Sequence, residues 1–208
     1  MKINIFGLPR SGTKLIQLYI CLSLLNYNNI CAVLYEPFVW GDRKNIIYPH
    51  EGIYEHYKLP LFIKNNNEHK SELFRKINRQ HNSNIPLVSK FTRANGRIKF
   101  INNEMNANKS IIIIRPLQGF LNSISNSSWN LFSVKQEILN SEQYWNKFLK
   151  EVKFIDDPEY NSILKKLDKN NVLNKYSIYW YIMNDYALKQ SDKNNLILNY
   201  SKVKNNTN

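Results

Sequence analysis

The chain has 208 residues, of which 43% are hydrophobic and 13% aromatic, and its formal net charge is +13. This length and composition predict one folded domain, covering 1–208, and exclude a disordered chain. The excess of Lys and Arg is compatible with ordinary surface solubility or with an anionic ligand, such as a nucleotide, a nucleic acid or an acidic polymer. Charge alone does not separate these interpretations.

The cysteines and the apolar run near the N-terminus bear on the compartment. Cys21 and Cys31 lack CxxC spacing and have no His cluster beside them, which favours reduced thiols in an intracellular protein. The apolar run at 15–25 is interrupted by Gln17 and Ser23, and no small-residue cleavage site follows it. We therefore expect a cytoplasmic protein without stable membrane insertion.

Short apolar runs alternate with helical patterns along the chain. In chain order the pattern predicts a strand at 3–6, a helix at 13–25, a strand at 30–35, a helix within 68–80, a strand at 85–91, a helix around 98–105, a strand at 110–114, helices at 120–128, within 131–169 and at 174–190, and a strand at 195–200. This order predicts a three-layer α/β/α domain with a mainly parallel central sheet. Residues 40–84 are polar and broken by Gly and Pro, which indicates an insertion or lid.

The first predicted helix has two apolar faces. One face carries five residues at helical spacing, which are Leu15, Leu18, Tyr19, Leu22 and Leu25, and Ile16 and Ile20 form a second face. We therefore expect this helix to be mostly buried.

Ligands of parallel α/β sheets bind outside the carboxyl ends of the strands. The residues that follow the predicted strands are 7–14, Glu36, 90–93, Arg115 and 200–201. These positions are therefore the candidates for a functional site.

The loop after the first strand has the spacing Gly7-x-x-x-x-Gly12-Thr13-Lys14. A nucleotide-triphosphatase P-loop has Lys directly after the second glycine, then Ser or Thr to bind magnesium. Here the lysine comes one residue later, which turns it by about 100° around the helix. The backbone N–H groups of a loop that enters a helix still form a site for an anion.

The residues Gly7-Leu8-Pro9-Arg10-Ser11-Gly12-Thr13 resemble the 5′-phosphosulfate loop of sulfotransferases that use 3′-phosphoadenosine 5′-phosphosulfate (PAPS). In that family a strand ends in Arg, and a Ser eight residues later helps it to bind the 3′-phosphate. Arg115 and Ser123 have this spacing. Similarity extends to 88–98 and to 180–200.

The resemblance implies a P-loop-like nucleotide-binding fold with PAPS as the donor, adenosine 3′,5′-bisphosphate as the product and no metal. The implied nucleotide-binding residues are Pro9, Arg10, Ser11, Gly12, Thr13, Lys14, Arg115 and Ser123.

The implied reaction is transfer of a sulfuryl group to a hydroxyl or amine acceptor. It needs a base and cations that neutralise the leaving oxygen. The resemblance implies Glu36 as the base, and Arg10, Lys14 and Lys90 as catalytic cations. Rival bases are the four histidines, His50, His56, His69 and His81.

Other functions remain open. A P-loop nucleotide kinase or other ATP-binding protein would require magnesium and an acidic residue at a strand end, where Glu36 is the candidate carboxylate. A degenerate sulfotransferase fold would bind nucleotide without turnover. The cations are dispersed rather than interleaved with aromatic residues, so we expect no nucleic-acid partner. We expect the partner to be a sulfate acceptor (a small molecule, a glycan or a protein side chain), recognised by residues within 38–84 and 125–160.

Overall fold

The computed structural model describes residues 1–28, 30–35, 58–64, 69–81, 84–126, 141–168 and 170–201. Five strands are present in this part of the chain: β1 (Lys2–Gly7), β2 (Ala32–Tyr35), β3 (Leu87–Thr92), β4 (Lys109–Ile114) and β5 (Asn195–Asn199). Seven α-helices are described with them: α1 (Thr13–Asn28), α2 (Glu72–Gln80), α3 (Ile98–Met105), α4 (Leu117–Ser125), α5 (Ser141–Ile155), α6 (Pro158–Lys165) and α7 (Val172–Lys189).

The strands form one parallel sheet in the order β2-β3-β1-β4-β5. The predicted three-layer α/β/α fold is confirmed. Strand β1 is central because its apolar side chains are buried on both faces: Ile5 and Phe6 are both fully buried. The chain passes from β1 to β2 and β3 on one side, then crosses to β4 and β5 on the other side.

The two faces of the sheet have separate apolar cores. On one face, α1 packs against Ile5, Val88 and Ile113. On the opposite face, α2 and α3 pack against Phe6, Phe91 and other large side chains of β1, β3 and β4. A third cluster joins α4, α5, α6 and α7 to Leu8 of the loop after β1. The loop is therefore anchored in the core at its start.

Helix α1 buries a different face from the one its leucines predict. Ile16, Gln17 and Cys21 are buried, whereas Leu18 and Leu22 are 55% and 50% exposed. Gln17 occupies the buried face because its Nε2 donates to the backbone oxygens of Leu34 and Val88, at 3.0 Å each. The expectation of a mostly buried helix is wrong.

Both cysteines are free thiols: Cys21 is buried, and Cys31 is partly exposed beside it. Burial and a hydrogen bond with Cys31 raise the pKa of Cys21 to about 12. Within the described ranges, every helix is too short or too polar to cross a bilayer.

Candidate functional site

The strand register brings several predicted residues to one edge of the sheet. Gly7 of β1 lies opposite Thr92 of β3 and Ile113 of β4. Ile114 lies opposite Asn199, so the residues that follow β4 and β5 leave the sheet side by side. The order of the strands along the chain reverses its direction across the sheet at β1. In open α/β sheets, ligands bind at such a reversal point.

The loop after β1 folds back tightly onto the end of its own strand. The Ser11 N–H donates to the Leu8 carbonyl at 3.1 Å and closes a turn. A Cβ atom at Gly7 would lie 2.7 Å from Thr13 Cγ2 and 3.2 Å from the Ile113 carbonyl oxygen. Glycine is therefore required where the strand enters the loop.

Helix α1 begins directly after this loop. The Gly12 carbonyl accepts from the N–H groups of Leu15 at 3.0 Å and Ile16 at 3.2 Å. Helix geometry leaves the N–H groups of the first turn, including those of Thr13 and Lys14, without an acceptor inside the helix. These groups and the helix dipole give the start of α1 a partial positive charge, which favours a bound anion.

A hydrogen-bond network joins three of the predicted site residues. The Arg10 Nε donates to the Ser123 Oγ at 3.0 Å, and the Arg115 Nη1 donates to the Arg10 carbonyl at 2.7 Å. Arg10 adopts a left-handed backbone conformation, with φ of 68°. The network therefore connects the loop after β1 with the end of β4 and with α4, although these residues are more than 100 positions apart.

Several further contacts fix Arg115 in place. The Trp180 Nε1 donates to its carbonyl at 2.9 Å, and its guanidinium lies 5.3 Å from the centre of the Tyr200 ring. A Cβ at Gly119 would lie 3.1 Å from the Arg115 Nε, so glycine there allows a close approach. Tyr200 also contacts Gly12, where a Cβ would lie 2.0 Å from the ring. Arg115 is thus held before any ligand binds.

The network gathers positive charge. Arg10, Lys14 and Arg115 form no ion pair with a carboxylate in the part of the chain that the structure describes. A bound anion would neutralise these cations, and a guanidinium can bind a phosphate through two parallel hydrogen bonds. The other predicted loop residues are less accessible: Pro9, Ser11 and Thr13 are buried, and Gly12 is half-buried.

The sequence predicts that Lys90 lies at the end of its strand, but the structure places it inside the strand. Strand β3 continues to Thr92, and Lys90 pairs in register with Ile5 and Tyr35. Its side chain is 2% exposed, and the ammonium lies 3.7 Å above the Tyr35 ring. Lys90 is therefore buried within the sheet and is not exposed at the carboxyl end of β3.

The candidate bases are described only in part, because Glu36, His50 and His56 lie outside the described residues. His81 ends α2, and its pKa is lowered by burial and by the positive charge of Lys2, at the first position of β1. Strand β1 is six residues long, about 20 Å, so His81 is at the opposite end of the sheet from the loop. His81 therefore lies far from the loop network.

His69 also lies apart from the loop network. It lines a cleft of about 520 Å³ beside α5, with Lys147 and Phe154. The structure therefore places His69 with α5 side chains rather than with Arg10 and Arg115.

Sequence reasoning missed two residues that anchor the described part of the predicted insertion. Arg97 is fully buried, and its guanidinium donates to the carbonyls of Leu59, at 2.9 Å, and Pro60. Burial lowers the pKa of Arg97 to about 10, so it remains charged at neutral pH. The Glu151 carboxylate accepts from the N–H groups of Leu61 and Phe62. These bonds tie residues 58–64 to the body of the domain.

Sequence reasoning also missed Trp180 and Tyr200 as the neighbours that position Arg115. The available signal was the position of Tyr200 directly after β5, because parallel strands in register deliver their next residues to the same place. Comparison with known proteins adds no family to this geometry: no protein-family model matches the chain, and no curated protein matches it.

Proposed function

We propose that this chain is a PAPS-dependent sulfotransferase, which transfers a sulfuryl group to a hydroxyl or amine of an acceptor. The observation that carries the proposal is the network of Arg10, Ser123 and Arg115 at the start of α1. Two anion-binding elements are adjacent there, the helix start with its loop and the Arg115 guanidinium. A donor with a phosphosulfate at one end and a phosphate at the other matches two such elements.

The proposed binding mode assigns the 5′-phosphosulfate to the loop and to Lys14. The 3′-phosphate is assigned to Arg115 and Ser123. The Ser123 hydroxyl accepts from Arg10, and its own O–H can still donate, because a hydroxyl does both at once. Arg10 thereby links the two halves of the site. The donor supplies the sulfuryl group when bound.

The catalytic assignments follow from charge and chain position. Arg10 and Lys14 are exposed cations at the loop, where they would neutralise the charge that develops on the leaving oxygen. Glu36 follows β2 directly in the sequence and remains the proposed base, which takes the proton of the acceptor. Lys90 remains a proposed catalytic cation that would act from within β3.

A nucleotide kinase or other ATP-binding protein is the second candidate, because an anion site at the start of α1 suits any nucleotide phosphate. The contact between Arg115 and the loop favours the sulfotransferase proposal, since it supplies a second phosphate-binding side chain. The third candidate, a sulfotransferase fold that binds nucleotide without turnover, shares the same site and differs only in the transfer step.

Thermal unfolding with nucleotides distinguishes the first two candidates. Adenosine 3′,5′-bisphosphate at a hundredfold over its dissociation constant should stabilise the chain by about 2.7 kcal/mol. We expect this shift in the wild type and in Arg75→Ala, an exposed arginine on α2 that serves as the control. Arg115→Ala should lose it. Stabilisation by ATP with magnesium and not by the bisphosphate would contradict the proposal.

Transfer is tested separately from binding. Radiolabelled PAPS is incubated with a panel of phenolic, sugar and peptide acceptors, and labelled product is measured. Glu36→Gln should retain the bisphosphate shift and lose transfer, whereas Glu72→Gln, at an exposed position on α2, should retain both. A wild type that binds the bisphosphate and transfers to no acceptor would favour the degenerate candidate.

A further inference from the structure

A second cleft lies between helix α5 and the segment that precedes α2. We call it the α5 cleft; it is lined by residues within 60–64, by His69 and by residues within 147–154 of α5. Its volume is about 520 Å³, inside the range of roughly 300–1,000 Å³ that small-molecule sites occupy. These lining residues all lie outside the loop network of Arg10, Ser123 and Arg115, so the α5 cleft is separate from the candidate site.

The wall before α2 is apolar and is held in place by its neighbours. Phe62 and Ile63 are both buried. The Phe62 ring packs edge-on against the Tyr186 ring of α7, with 4.9 Å between ring centres, and the Ile63 N–H donates to the Gly96 carbonyl at 2.9 Å. A wall that is formed before binding spares a ligand the entropic cost of ordering it.

Positive charge is in excess around the α5 cleft. Among its described lining residues, three are lysines, Lys64, Lys147 and Lys150, and one is acidic, Glu151. The Glu151 carboxylate already accepts from two backbone N–H groups of the apolar wall. The charge that the cleft presents to a ligand is therefore positive, and it favours an anion.

Two cations meet at one carbonyl beside the cleft. Lys147 Nζ and the Arg97 guanidinium both donate to the Leu59 carbonyl, at 3.0 and 2.9 Å, and Lys147 Nζ lies 3.7 Å from the Glu151 carboxylate. Burial, with the positive charge of Arg97 as a smaller cause, lowers the pKa of Lys147 to about 8. The charged ammonium is thus held there at a cost in free energy, which a nearby anion would offset.

We propose that the α5 cleft binds a small aromatic anion, with its carboxylate or sulfonate at Lys147 and its rings against Phe62 and Phe154. Phe154 lies two helical turns after Lys147, about 10 Å along α5, and it is 76% exposed at the cleft. A ligand that spans this distance would cover an exposed aromatic ring and neutralise a half-buried cation together. The proposal is independent of the reaction proposed above.

Fluorescence titration with two dyes tests the anion site. The dye 8-anilinonaphthalene-1-sulfonate carries a sulfonate on aromatic rings, and N-phenyl-1-naphthylamine has the same rings without it. The wild type should bind the sulfonate saturably and about tenfold more tightly than the neutral dye, as expected for a charged hydrogen bond. Lys147→Met should lose this difference, and Lys165→Met, at an exposed position on α6, should keep it. Equal affinities in the wild type, or a Lys147→Met variant that matches Lys165→Met, would overturn the proposal.

A second variant guards against a folding effect, because Lys147 also bonds the Leu59 carbonyl. Phe154→Ser, at an exposed position, should weaken both dyes severalfold with unchanged circular dichroism, since it removes apolar contact from each. The control is Leu173→Ser on α7, at a leucine that is 50% exposed, and it should leave both affinities unchanged. A Phe154→Ser variant with wild-type affinities would place the dyes elsewhere and contradict the proposal.

Displacement of the sulfonate dye tests the ligand class and the location. Naphthalene-1-carboxylate should displace it, whereas inorganic phosphate at matched ionic strength should not, because phosphate has no apolar body. Arg115→Ala should bind the dye as the wild type does, and adenosine 3′,5′-bisphosphate should leave it bound. Displacement by phosphate would show a site for a bare anion. Displacement by the bisphosphate would show binding at the loop after β1, and either result would overturn the proposal.

Discussion

The Arg115 Nη1 donates to the Arg10 carbonyl at 2.7 Å, and this bond couples the end of β4 to the loop after β1. Arg10 has a φ of 68°, a conformation that costs a residue with a side chain roughly 1–2 kcal/mol. Its two hydrogen bonds, one to Arg115 and one to Ser123, offset that cost. The loop therefore depends for its shape on a residue more than 100 positions away.

Arg115→Lys should weaken binding of adenosine 3′,5′-bisphosphate about 10- to 100-fold, which corresponds to roughly 1.5–3 kcal/mol for hydrogen bonds to a charged group. Lysine has a single ammonium instead of a planar guanidinium. It therefore cannot at the same time donate to the Arg10 carbonyl, lie over the Tyr200 ring and donate two hydrogen bonds to a phosphate. Isothermal titration calorimetry measures the change, with Arg75→Lys as the matched surface control. Equal affinities in the Arg115 variant and the wild type would show that Arg115 does not bind the ligand.

Gly12→Ala should destabilise the domain by about 1–3 kcal/mol, because Gly12 has a φ of +83° and its new Cβ would lie 2.0 Å from the Tyr200 ring. Urea unfolding measures the loss. The double variant Gly12→Ala/Tyr200→Ala removes the steric conflict but not the backbone strain. Its loss should therefore be smaller than the sum of the two single losses. Strictly additive losses would mean that the contact between Gly12 and Tyr200 is unimportant.

Trp180→Phe should reduce affinity for the bisphosphate severalfold and lower the free energy of unfolding by about 1 kcal/mol, since it removes one hydrogen-bond donor and keeps an aromatic ring. The lost bond is the one that holds the Arg115 carbonyl at 2.9 Å. The neighbouring variant Tyr181→Phe, which loses a bond to Glu159, should leave the affinity unchanged. Equal affinities in both variants would rule out a positioning role for Trp180.

The lowered pKa of Lys147 predicts that the free energy of unfolding depends on pH. Burial, with the positive charge of Arg97 as a smaller cause, lowers its pKa from 10.5 to about 8. Between these two pH values the unfolded chain binds more protons at this site than the folded chain does. The contribution of Lys147 to the free energy of unfolding should therefore rise with pH across that window.

Comparison of variants isolates this contribution. Lys147→Met should lose the rise between pH 8 and 10.5, whereas Lys150→Met, at an exposed position on the same helix, should keep it. Urea unfolding at several pH values provides the measurement. A Lys147→Met profile parallel to that of the wild type would contradict the assigned pKa.

The strands were predictable from the sequence because each contains a short run of apolar residues with few polar interruptions. The four isoleucines of β4 are the plainest case. The buried face of α1 was not predictable from periodicity. Gln17 lies in the buried interface because two backbone carbonyls accept its hydrogen bonds, while Leu18 and Leu22 face outward. A polar side chain that finds its partners on other elements leaves no signal in a local pattern.

The parts of the candidate site that directly follow a strand were predictable from the sequence. The loop after β1 and Arg115 were found in this way, and the register brings them together. The bond between Arg10 and Ser123 was not foreseen, because it depends on how α4 packs beside the loop. Lys90 was misplaced because β3 extends two residues beyond it, and pattern methods fix element ends poorly.

The most direct test of the two-phosphate site compares adenosine 3′,5′-bisphosphate with adenosine 5′-monophosphate, which lacks the 3′-phosphate. Calorimetry on the wild type should show the bisphosphate binding at least about tenfold more tightly, the equivalent of roughly 1.4 kcal/mol. In Arg115→Ala the two ligands should bind with nearly equal affinity. A wild type that does not discriminate between them, or an Arg115→Ala variant that discriminates as well as the wild type, would contradict the assignment of Arg115 to the 3′-phosphate.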